Sequence, residues 1–256
     1  MLLLINVKSN SISFSFTKFT SEQEFDLAFL GDARPLGGVI RLTKRDGPDN
    51  TNLHQHSVGR VVYLPSVQLS DKKKGKLADF ETEFSFVVDT ASSPIHGDGF
   101  AFFIIPYDSV PVIPKNSTGG FLGLFNPETA FDPYKNQIVA VEFDGFGNEF
   151  DPNPIPEASH IGIDINSLES VRTVEWPINS IPTSIGKSRI SYDSKAKELS
   201  VVVEYVDTEP KVFISFKQAI DLGVVLPEFV RIGFSGATGD QVETHDILSW
   251  SFVSRI

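Results

Sequence analysis

The sequence contains no cysteine and only one methionine and two tryptophans among its 256 residues. The absence of cysteine excludes disulfide bonds and thiolate metal sites, so a bound metal would need carboxylate, amide, carbonyl or imidazole ligands. Basic residues are also scarce, because 22 Lys and Arg stand against 33 Asp and Glu, which gives a net charge of −11. Nucleic-acid partners are therefore not expected, since phosphate binding requires clustered basic side chains. The dense basic run at 72–76 is expected to be a solvated turn.

The sequence also lacks any run of the roughly 20 apolar residues needed to span a bilayer, so membrane insertion is not expected. An apolar run at the start, Met1–Ile5, gives way to polar residues before Ser11. We interpret residues 1–10 as the tail of a secretory signal peptide, with the mature chain starting near Ser11. The alternative is an ordinary first strand. Residues 11–256 contain no linker or internal repeat, and we expect them to form a single domain.

Apolar residues recur at alternate positions along many short segments. The clearest examples are Ile12 to Phe16, Phe80 to Phe86 and Ile161 to Ile165. Further strands are predicted at 60–64, 99–105, 137–144, 199–205, 212–216, 230–234 and 247–253. Helical periodicity is nearly absent, and 19 Gly and 16 Pro punctuate the chain. This pattern is typical of an antiparallel β-sandwich or barrel. The apolar run at 121–125 is expected to be part of the core.

The densest group of chemically distinctive residues lies between 139 and 167. In a strand, Glu142 and Asp144 would project from one face about 7 Å apart. Two such carboxylates repel each other unless a cation or hydrogen-bond donors compensate. Asn148 and Asp151 follow in the next loop, and His160 opens the next strand, although a lone histidine is more often structural. This set of side chains predicts a metal centre.

The number of potential ligands suggests two ions. A transition ion such as Mn²⁺ accepts imidazole among oxygens. Its ligands would be Glu142, Asp144, Asp151 and His160. Calcium prefers an all-oxygen site. Its ligands would be Asp144, the main-chain carbonyl of Phe146, Asn148 and Asp151. The shared carboxylates would hold the two ions close together.

Two other interpretations apply to the same segment. Asp144, Phe146 and Asn148 have the spacing of an EF-hand loop, but position 12 of that loop would be Ile155, which excludes it. Glu142 and Asp144 could also be the acid and base of a glycoside hydrolase, because sandwich-fold glucanases have clustered strand acids. Those enzymes have a further acid where this sequence has Phe146. Binding is therefore favoured over hydrolysis.

Several ordered motifs resemble those of legume seed and bark lectins over nearly the whole chain. They are Ser13–Phe19, Gly31–Ala33, Gly97–Ile104, Gly119–Phe125, Val139–Asp144, His160–Asp164, Leu226–Glu228 and Leu248–Phe252. The resemblance implies an all-β fold, the legume-lectin jelly-roll antiparallel β-sandwich, with a Mn²⁺/Ca²⁺ pair beneath a shallow sugar site. It also implies glycans and glycoproteins as partners, no enzymatic activity, and assembly as a homodimer or homotetramer.

The resemblance assigns roles to individual residues. The metal ligands of the family fall on Glu142, Asp144, Phe146 (main chain), Asn148, Asp151 and His160. Its sugar contacts fall on Asp98, Gly120, Phe146, Asn148, Asp240 and Gln241. An ionised Asp98 can accept hydrogen bonds from two sugar hydroxyls, and the Gly120 N–H and Asn148 amide can donate. The family has a cis peptide before the site aspartate, here Gly97–Asp98, and more often has alanine in place of Gly97.

The leading hypothesis is a lectin that depends on Ca²⁺ and Mn²⁺ and binds mannose or glucose. The loop at 236–246 matches the short form of mannose/glucose-binding members and lacks the insertions typical of galactose-binding ones. In that form, the N–H groups of Asp240 and Gln241 would donate to the sugar ring oxygen and primary hydroxyl. The alternatives are a galactose- or fucose-specific lectin, or a lectin-like defence or storage protein with a degenerate sugar site.

A possible N-glycosylation acceptor lies at Asn116, in the tripeptide Asn116, Ser117 and Thr118. Such tripeptides occur often by chance, but this one lies in a Gly/Pro-rich loop of the kind that glycans occupy. Together with the apolar start of the chain, it favours passage through the secretory pathway. The expected destination is the vacuole, a protein body or the extracellular space.

Overall fold

The fold is described by a computed structural model that covers residues 11–20, 22, 25–47, 51–152 and 159–256. The interpretation of residues 1–10 as a signal-peptide tail lies outside these residues and stays a prediction. We number the strands of the described residues in chain order. They are β1 (Ser11–Phe16), β2 (Leu27–Gly31), β3 (Arg34–Leu36), β4 (Val39–Arg41), β5 (Arg45–Asp46), β6 (Asn52–Leu53), β7 (Val58–Tyr63), β8 (Val67–Gln68), β9 (Ser70–Asp71), β10 (Lys76–Leu77), β11 (Asp79–Val87), β12 (Gly99–Pro106), β13 (Val139–Asp144), β14 (His160–Ile165), β15 (Arg172–Glu175), β16 (Ile185–Asp193), β17 (Glu198–Tyr205), β18 (Val212–Ala219), β19 (Phe229–Ala237) and β20 (Asp246–Arg255).

Two large antiparallel sheets form a sandwich. Sheet 1 has the order β18-β17-β16-β11-β20-β4-β3, and β1 also pairs with β20. Sheet 2 has the order β15-β14-β13-β12-β19-β7-β2, and β8 also pairs with β19. In the residues that the structure describes, helical structure is limited to short segments such as the 3-10 turns Gly119–Phe121 and Ile178–Ser180 and the helix α1 (Leu222–Val225). No helix in the described ranges is long and apolar enough to cross a membrane.

The main hydrophobic core lies between the two sheets and is rich in phenylalanine. Phe84 on β11 meets Phe234 on β19 with ring centroids 4.9 Å apart, and Phe234 is also 4.9 Å from Trp250 on β20. Phe100 and Phe143, on neighbouring strands of sheet 2, stack at 4.6 Å. Aromatic pairs in these geometries stabilise a core beyond the area that they bury.

A second, smaller apolar cluster covers the outer face of sheet 2. Ala101 and Phe103 of β12 contribute from the sheet, and residues of the 122–125 segment cover them. Leu122, Leu124 and Phe125 are each almost fully buried, which confirms that this run is part of a core. Strands β12 and β13 are therefore buried on both faces, in agreement with their nearly continuous apolar sequence.

Each of the ten strands predicted from alternation overlaps an observed strand. The predicted basic turn is also confirmed, because residues 72–74 are exposed and connect β9 to β10. The long strand β16 was not predicted, although it lies in the middle of sheet 1 between β11 and β17. Its inward positions include Gly186 and Ser188, which hide the apolar alternation.

Candidate functional site

The predicted metal ligands converge where β13 and β14 end side by side. Asp144 is paired in register with His160, and Glu142 with Gly162. Glu142, Asp144 and His160 are all buried and each offers a ligand atom, with these atoms within 4.8 Å of one another. The His160 Nε2 atom is 3.0 Å from Glu142 Oε1. Val141 and Phe143 face the main core, as the alternation predicted.

Asp151 lies beside these three residues, but it is not among those whose ligand atoms are all within 4.8 Å of one another. Its carboxylate accepts a hydrogen bond of 2.5 Å from the Asn148 N–H. Burial raises its pKa to about 6, and the charge of Glu142 adds to the rise, whereas the Asn148 N–H and His160 oppose it. Burial also raises the pKa of Asp144 well above its usual value, with Asp151 and Glu142 contributing. These carboxyls resist ionisation together unless a cation compensates.

Two further residues of this cluster were missed by the sequence analysis. Asp164 on β14 is fully buried on the same face as His160, and Ser170 lies next to it. The Ser170 Oγ atom is 2.7 Å from both Glu142 Oε1 and Asp164 Oδ1. The alternation of His160, Gly162 and Asp164 along one strand could have indicated Asp164. Nothing in the local sequence indicates Ser170.

The loop after β13 orients polar groups around the cluster. The Phe146 N–H donates to Asp144 Oδ1 at 2.7 Å, which curls the chain back over the end of the strand. The Asn148 Oδ1 atom is buried, and no described residue donates to it. Phe146 is half-buried. An unpaired buried amide oxygen is a suitable ligand for a hard cation.

Asp98 lies next to this loop, directly before β12. The peptide between Gly97 and Asp98 is cis, as the family resemblance implied. The Asp98 carbonyl accepts from the Gly145 N–H at 2.6 Å, and its own N–H donates to Ala237 at 3.2 Å. Asp98 is 5% exposed, and among the described residues its Oδ2 atom has no hydrogen-bond partner. Burial raises the pKa of this carboxyl to about 7, and the charge of Glu243 adds to the rise, whereas the Gly239 N–H opposes it.

Glycines allow the neighbouring loops to approach these side chains closely. A Cβ atom at Gly120 would lie 2.2 Å from Asn148 Oδ1, and one at Gly239 would lie 2.8 Å from Asp98 Oδ2. A side chain at Gly120 would have to displace Asn148, and one at Gly239 would have to displace Asp98. A Cβ atom at Gly119, the neighbour of Gly120, would lie 3.8 Å from Asp98 Oδ1, so the structure brings Asp98, Gly120 and Asn148 together, as the predicted sugar site requires. The sequence did not predict Gly239 as a residue of this site.

The remaining predicted sugar contacts lie on the loop that contains Gly239. Asp240 is exposed, and its carbonyl accepts from Gln55 Nε2 at 2.7 Å. Its carboxylate is 3.4 Å from His56 Nε2. A Cβ atom at Gly97 would lie 2.7 Å from the Phe146 Cβ and 3.8 Å from the Gln241 Cβ, so both side chains flank the Asp98 segment.

A buried polar network that the sequence analysis missed lies behind the same loops. Glu243 contacts His96 Nδ1 through one oxygen and His245 Nε2, at 2.9 Å, through the other. The second nitrogen of His96 is 3.0 Å from Asn179 Oδ1. Although burial raises the pKa of Glu243, the two histidines outweigh that effect and hold it below its usual value. The network joins the Asp98 segment to the Gln241 loop.

Three comparisons with known proteins agree on one family. The family model described as the legume lectin domain matches residues 11–255. Lectin 8 of Medicago truncatula is 48% identical over an alignment of 257 positions that covers 100% of this chain and 92% of that protein. The mannose/glucose-specific lectin of Centrolobium tomentosum is 41% identical over 254 residues, 97% of each chain. The solved structure of lectin UEA-II complexed with galactose is 37% identical, with a TM-score of 0.83 over 96% of this chain and 99% of that one.

Proposed function

Because the chain belongs to the legume lectin family, we propose that it binds carbohydrate at the Asp98 site, with Ca²⁺ and Mn²⁺ beneath. The main support is the convergence of unpaired buried polar atoms. Asp98 Oδ2 and Asn148 Oδ1 both lack donors among the described residues, and both lie against glycine backbone. An apolar core would not need such groups, since each costs about 1 to 3 kcal/mol when left unpaired.

The residues present fit the two proposed metals. An imidazole among buried carboxylates suits Mn²⁺, and the proposed ligands are Glu142, Asp144, Asp151 and His160. The unpaired oxygen of Asn148 suits Ca²⁺, and the proposed ligands are Asp144, the Phe146 carbonyl, Asn148 and Asp151. When bound, the ions would neutralise carboxylates that otherwise repel one another. They would thereby fix the loop on which the sugar rests.

In the proposed sugar complex, Asp98 accepts hydrogen bonds from two hydroxyls. The Gly120 N–H and the Asn148 side-chain amide donate to the same sugar. The ring of Phe146, a half-buried residue, contacts the apolar face of the pyranose. The Asp240 and Gln241 N–H groups complete the contacts at the ring oxygen and the primary hydroxyl.

We propose mannose and glucose as the preferred sugars. The support is the short loop at 236–246, which the Gln55 contact with Asp240 ties to the neighbouring 54–57 loop. An axial 4-hydroxyl would leave Asp98 partly unpaired, which costs roughly 1 to 3 kcal/mol. One relative is described as mannose/glucose-specific, whereas two similar structures contain galactose or its methyl glycoside. A galactose-specific lectin is therefore the second candidate, and a fucose-specific one the third.

The test is competition against an immobilised glycoprotein, with the metal-loaded protein and four sugars: methyl α-mannoside, methyl α-glucoside, galactose and fucose. We expect the first two to compete at least tenfold better than galactose, which corresponds to about 1.4 kcal/mol. If galactose competes equally well, the loop argument is wrong and the lectin proposal stands. If a glycan array shows no binding in the presence of both metals, the degenerate-site alternative replaces it.

Three further properties belong to the same proposal. The protein is non-enzymatic, so a bound glycan incubated with it should be recovered intact. It enters the secretory pathway and is glycosylated at Asn116, which is exposed, so a glycosidase should reduce the mass of protein isolated from its source. It assembles as a homodimer or homotetramer, which sedimentation velocity would distinguish from a monomer.

A further inference from the structure

Three arginines gather around one aspartate at the edge of sheet 1. Arg34 on β3 is paired in register with Arg41 on β4, and Arg41 is paired with Asp246 on β20. Side chains paired in this way project from the same face of a sheet. Arg45 also joins the group, because its Nη2 contacts Asp246 Oδ2 and its carbonyl accepts from Arg34 Nη2 at 2.7 Å. We call these four residues the arginine cluster.

The charges in the arginine cluster do not balance. Among the described residues, three guanidinium groups face one carboxylate, which leaves an excess of two positive charges in a chain whose net charge is −11. Asp246 is engaged by Arg45, and the two side chains are only 16% and 13% exposed, so water screens them poorly. Burial lowers the pKa of Arg41, and the charges of Arg45 and Arg34 lower it further, against the opposing effect of Asp246.

The cluster also has hydrogen-bond donors without acceptors. Arg41 Nε, Arg41 Nη1 and Arg45 Nε are buried, and none has a partner among the described residues. A buried donor without an acceptor is costly, more so when it is charged. Arg34 and Arg41 are only half-buried as residues, so part of the cluster remains open to solvent.

We propose that the arginine cluster binds a tetrahedral oxyanion, a sulfate or phosphate group with two negative charges. A dianion would balance the excess charge of the cluster, and its oxygens would provide the missing acceptors. Guanidinium groups bind such oxyanions through paired N–H donors, and the planar fork of arginine suits this geometry better than lysine does. None of the four residues is a proposed sugar contact, although Asp246 ends the 236–246 loop, so the sulfate and sugar titrations test the two proposals separately.

Inorganic sulfate is the first probe, because it does not remove calcium or manganese from solution as phosphate does. The metal-loaded protein is titrated with sodium sulfate, with sodium chloride adjusted to hold the ionic strength constant. The readouts are the arginine Nε–H signals in ¹⁵N NMR spectra and the thermal unfolding midpoint. We expect a saturable shift of the Arg41 and Arg45 signals and a rise in the midpoint.

Variants assign the effect to the cluster. Arg41→Gln and Arg34→Gln should each bind sulfate at least about tenfold more weakly, as expected when one charge-assisted contact is lost. The control is Arg172→Gln, which removes the same charge from an exposed position on β15 and should change affinity by no more than about twofold. Arg34→Gln keeps the test valid if Arg41→Gln does not fold.

A separate titration with glycerol 3-phosphate identifies the source of the anion. Binding of sulfate alone would indicate a free inorganic ion, whereas binding of the ester as well would indicate a phosphorylated or sulfated molecule. Either result supports the site. The proposed site is overturned if sulfate produces no saturable change beyond that of chloride at the same ionic strength, or if Arg172→Gln weakens sulfate binding as much as Arg41→Gln does.

Discussion

At the scale of single residues, Asp98 combines deep burial with unused hydrogen-bonding capacity. Its main chain is fixed on both sides, by Gly145 and by Ala237, while its Oδ2 atom has no donor among the described residues. A group held in place before its ligand arrives loses little conformational entropy on binding. The side chain is therefore prepared to accept hydrogen bonds from an incoming hydroxyl.

Replacing Asp98 with asparagine tests this role. Asp98→Asn keeps the shape of the side chain but removes its charge, so sugar affinity should fall at least tenfold, from a loss of about 1.5 to 3 kcal/mol. Calorimetric titration with the competing sugar measures the change. Asp108→Asn is the matched control, because it removes the same charge from an exposed position beyond β12. A variant that kept both its metals, by elemental analysis, and its affinity would show that the sugar site is elsewhere.

The residues of the candidate site differ in how far the sequence could predict them. Glu142, Asp144 and His160 lie on two adjacent strands joined by one loop, so their spacing is enough to bring them together. Ser170 and Glu243 join the site only through pairing and loop contacts between distant parts of the chain. No local pattern encodes such contacts. For the sugar site itself, the sequence predicted the residues through the family resemblance rather than through spacing.

At the scale of elements, strands with large apolar side chains at alternate positions were predictable, and β16 was not. The inward face of β16 begins with Gly186 and Ser188, and its apolar residues, Ile190 and Tyr192, come only in the second half of the strand. Gly186 is opposite Phe86 in the register of the sheet, and the Phe86 ring occupies the space that a side chain would fill. The apolar contact is thus supplied by the neighbouring strand, which a pattern within one strand cannot reveal.

Gly186→Ala should destabilise the fold. The added Cβ would lie 2.4 Å from the Cζ of Phe86 and must displace a ring that is itself 1% exposed. Overpacking of this kind costs about 1 to 3 kcal/mol. Urea unfolding of the metal-loaded protein measures this loss of stability. The control is Lys187→Ala, because Lys187 is an exposed neighbour on the same strand. Equal midpoints for the two variants and the original protein would mean that the ring is free to move.

At the scale of the whole molecule, the buried carboxyls predict how metal removal and pH act together. In the metal-free protein, burial raises the pKa of Asp98 to about 7 and that of Asp151 to about 6, and that of Asp144 also rises. An unfolded aspartate has a pKa of about 3.9. The folded chain therefore binds protons more strongly than the unfolded one, so these groups favour folding below about pH 4. That contribution is lost as the pH rises through 6 and 7.

Chelation should consequently lower the unfolding midpoint more at pH 8 than at pH 5. Bound cations replace the missing protons at high pH, whereas at low pH protons compete with them. The difference should be several degrees, because about 1 kcal/mol shifts the midpoint of a chain this size by roughly 2 to 4 °C. Calorimetry with and without chelator at both pH values measures it. A midpoint of the metal-free protein that does not fall between pH 5 and pH 8 would contradict the expectation.

The small cluster on the outer face of sheet 2 is separate from the main core that lies between the two sheets. Residues of β12 alternate between two environments, so that Phe102 packs in the core between the sheets while Phe103 packs under the 122–125 segment. The segment at 119–125, which approaches Asp98 through Gly119, therefore rests on a layer of its own. We expect changes of length or sequence in this segment to leave the packing between the sheets intact. Such changes can alter one side of the proposed sugar site while the sandwich beneath it stays nearly constant.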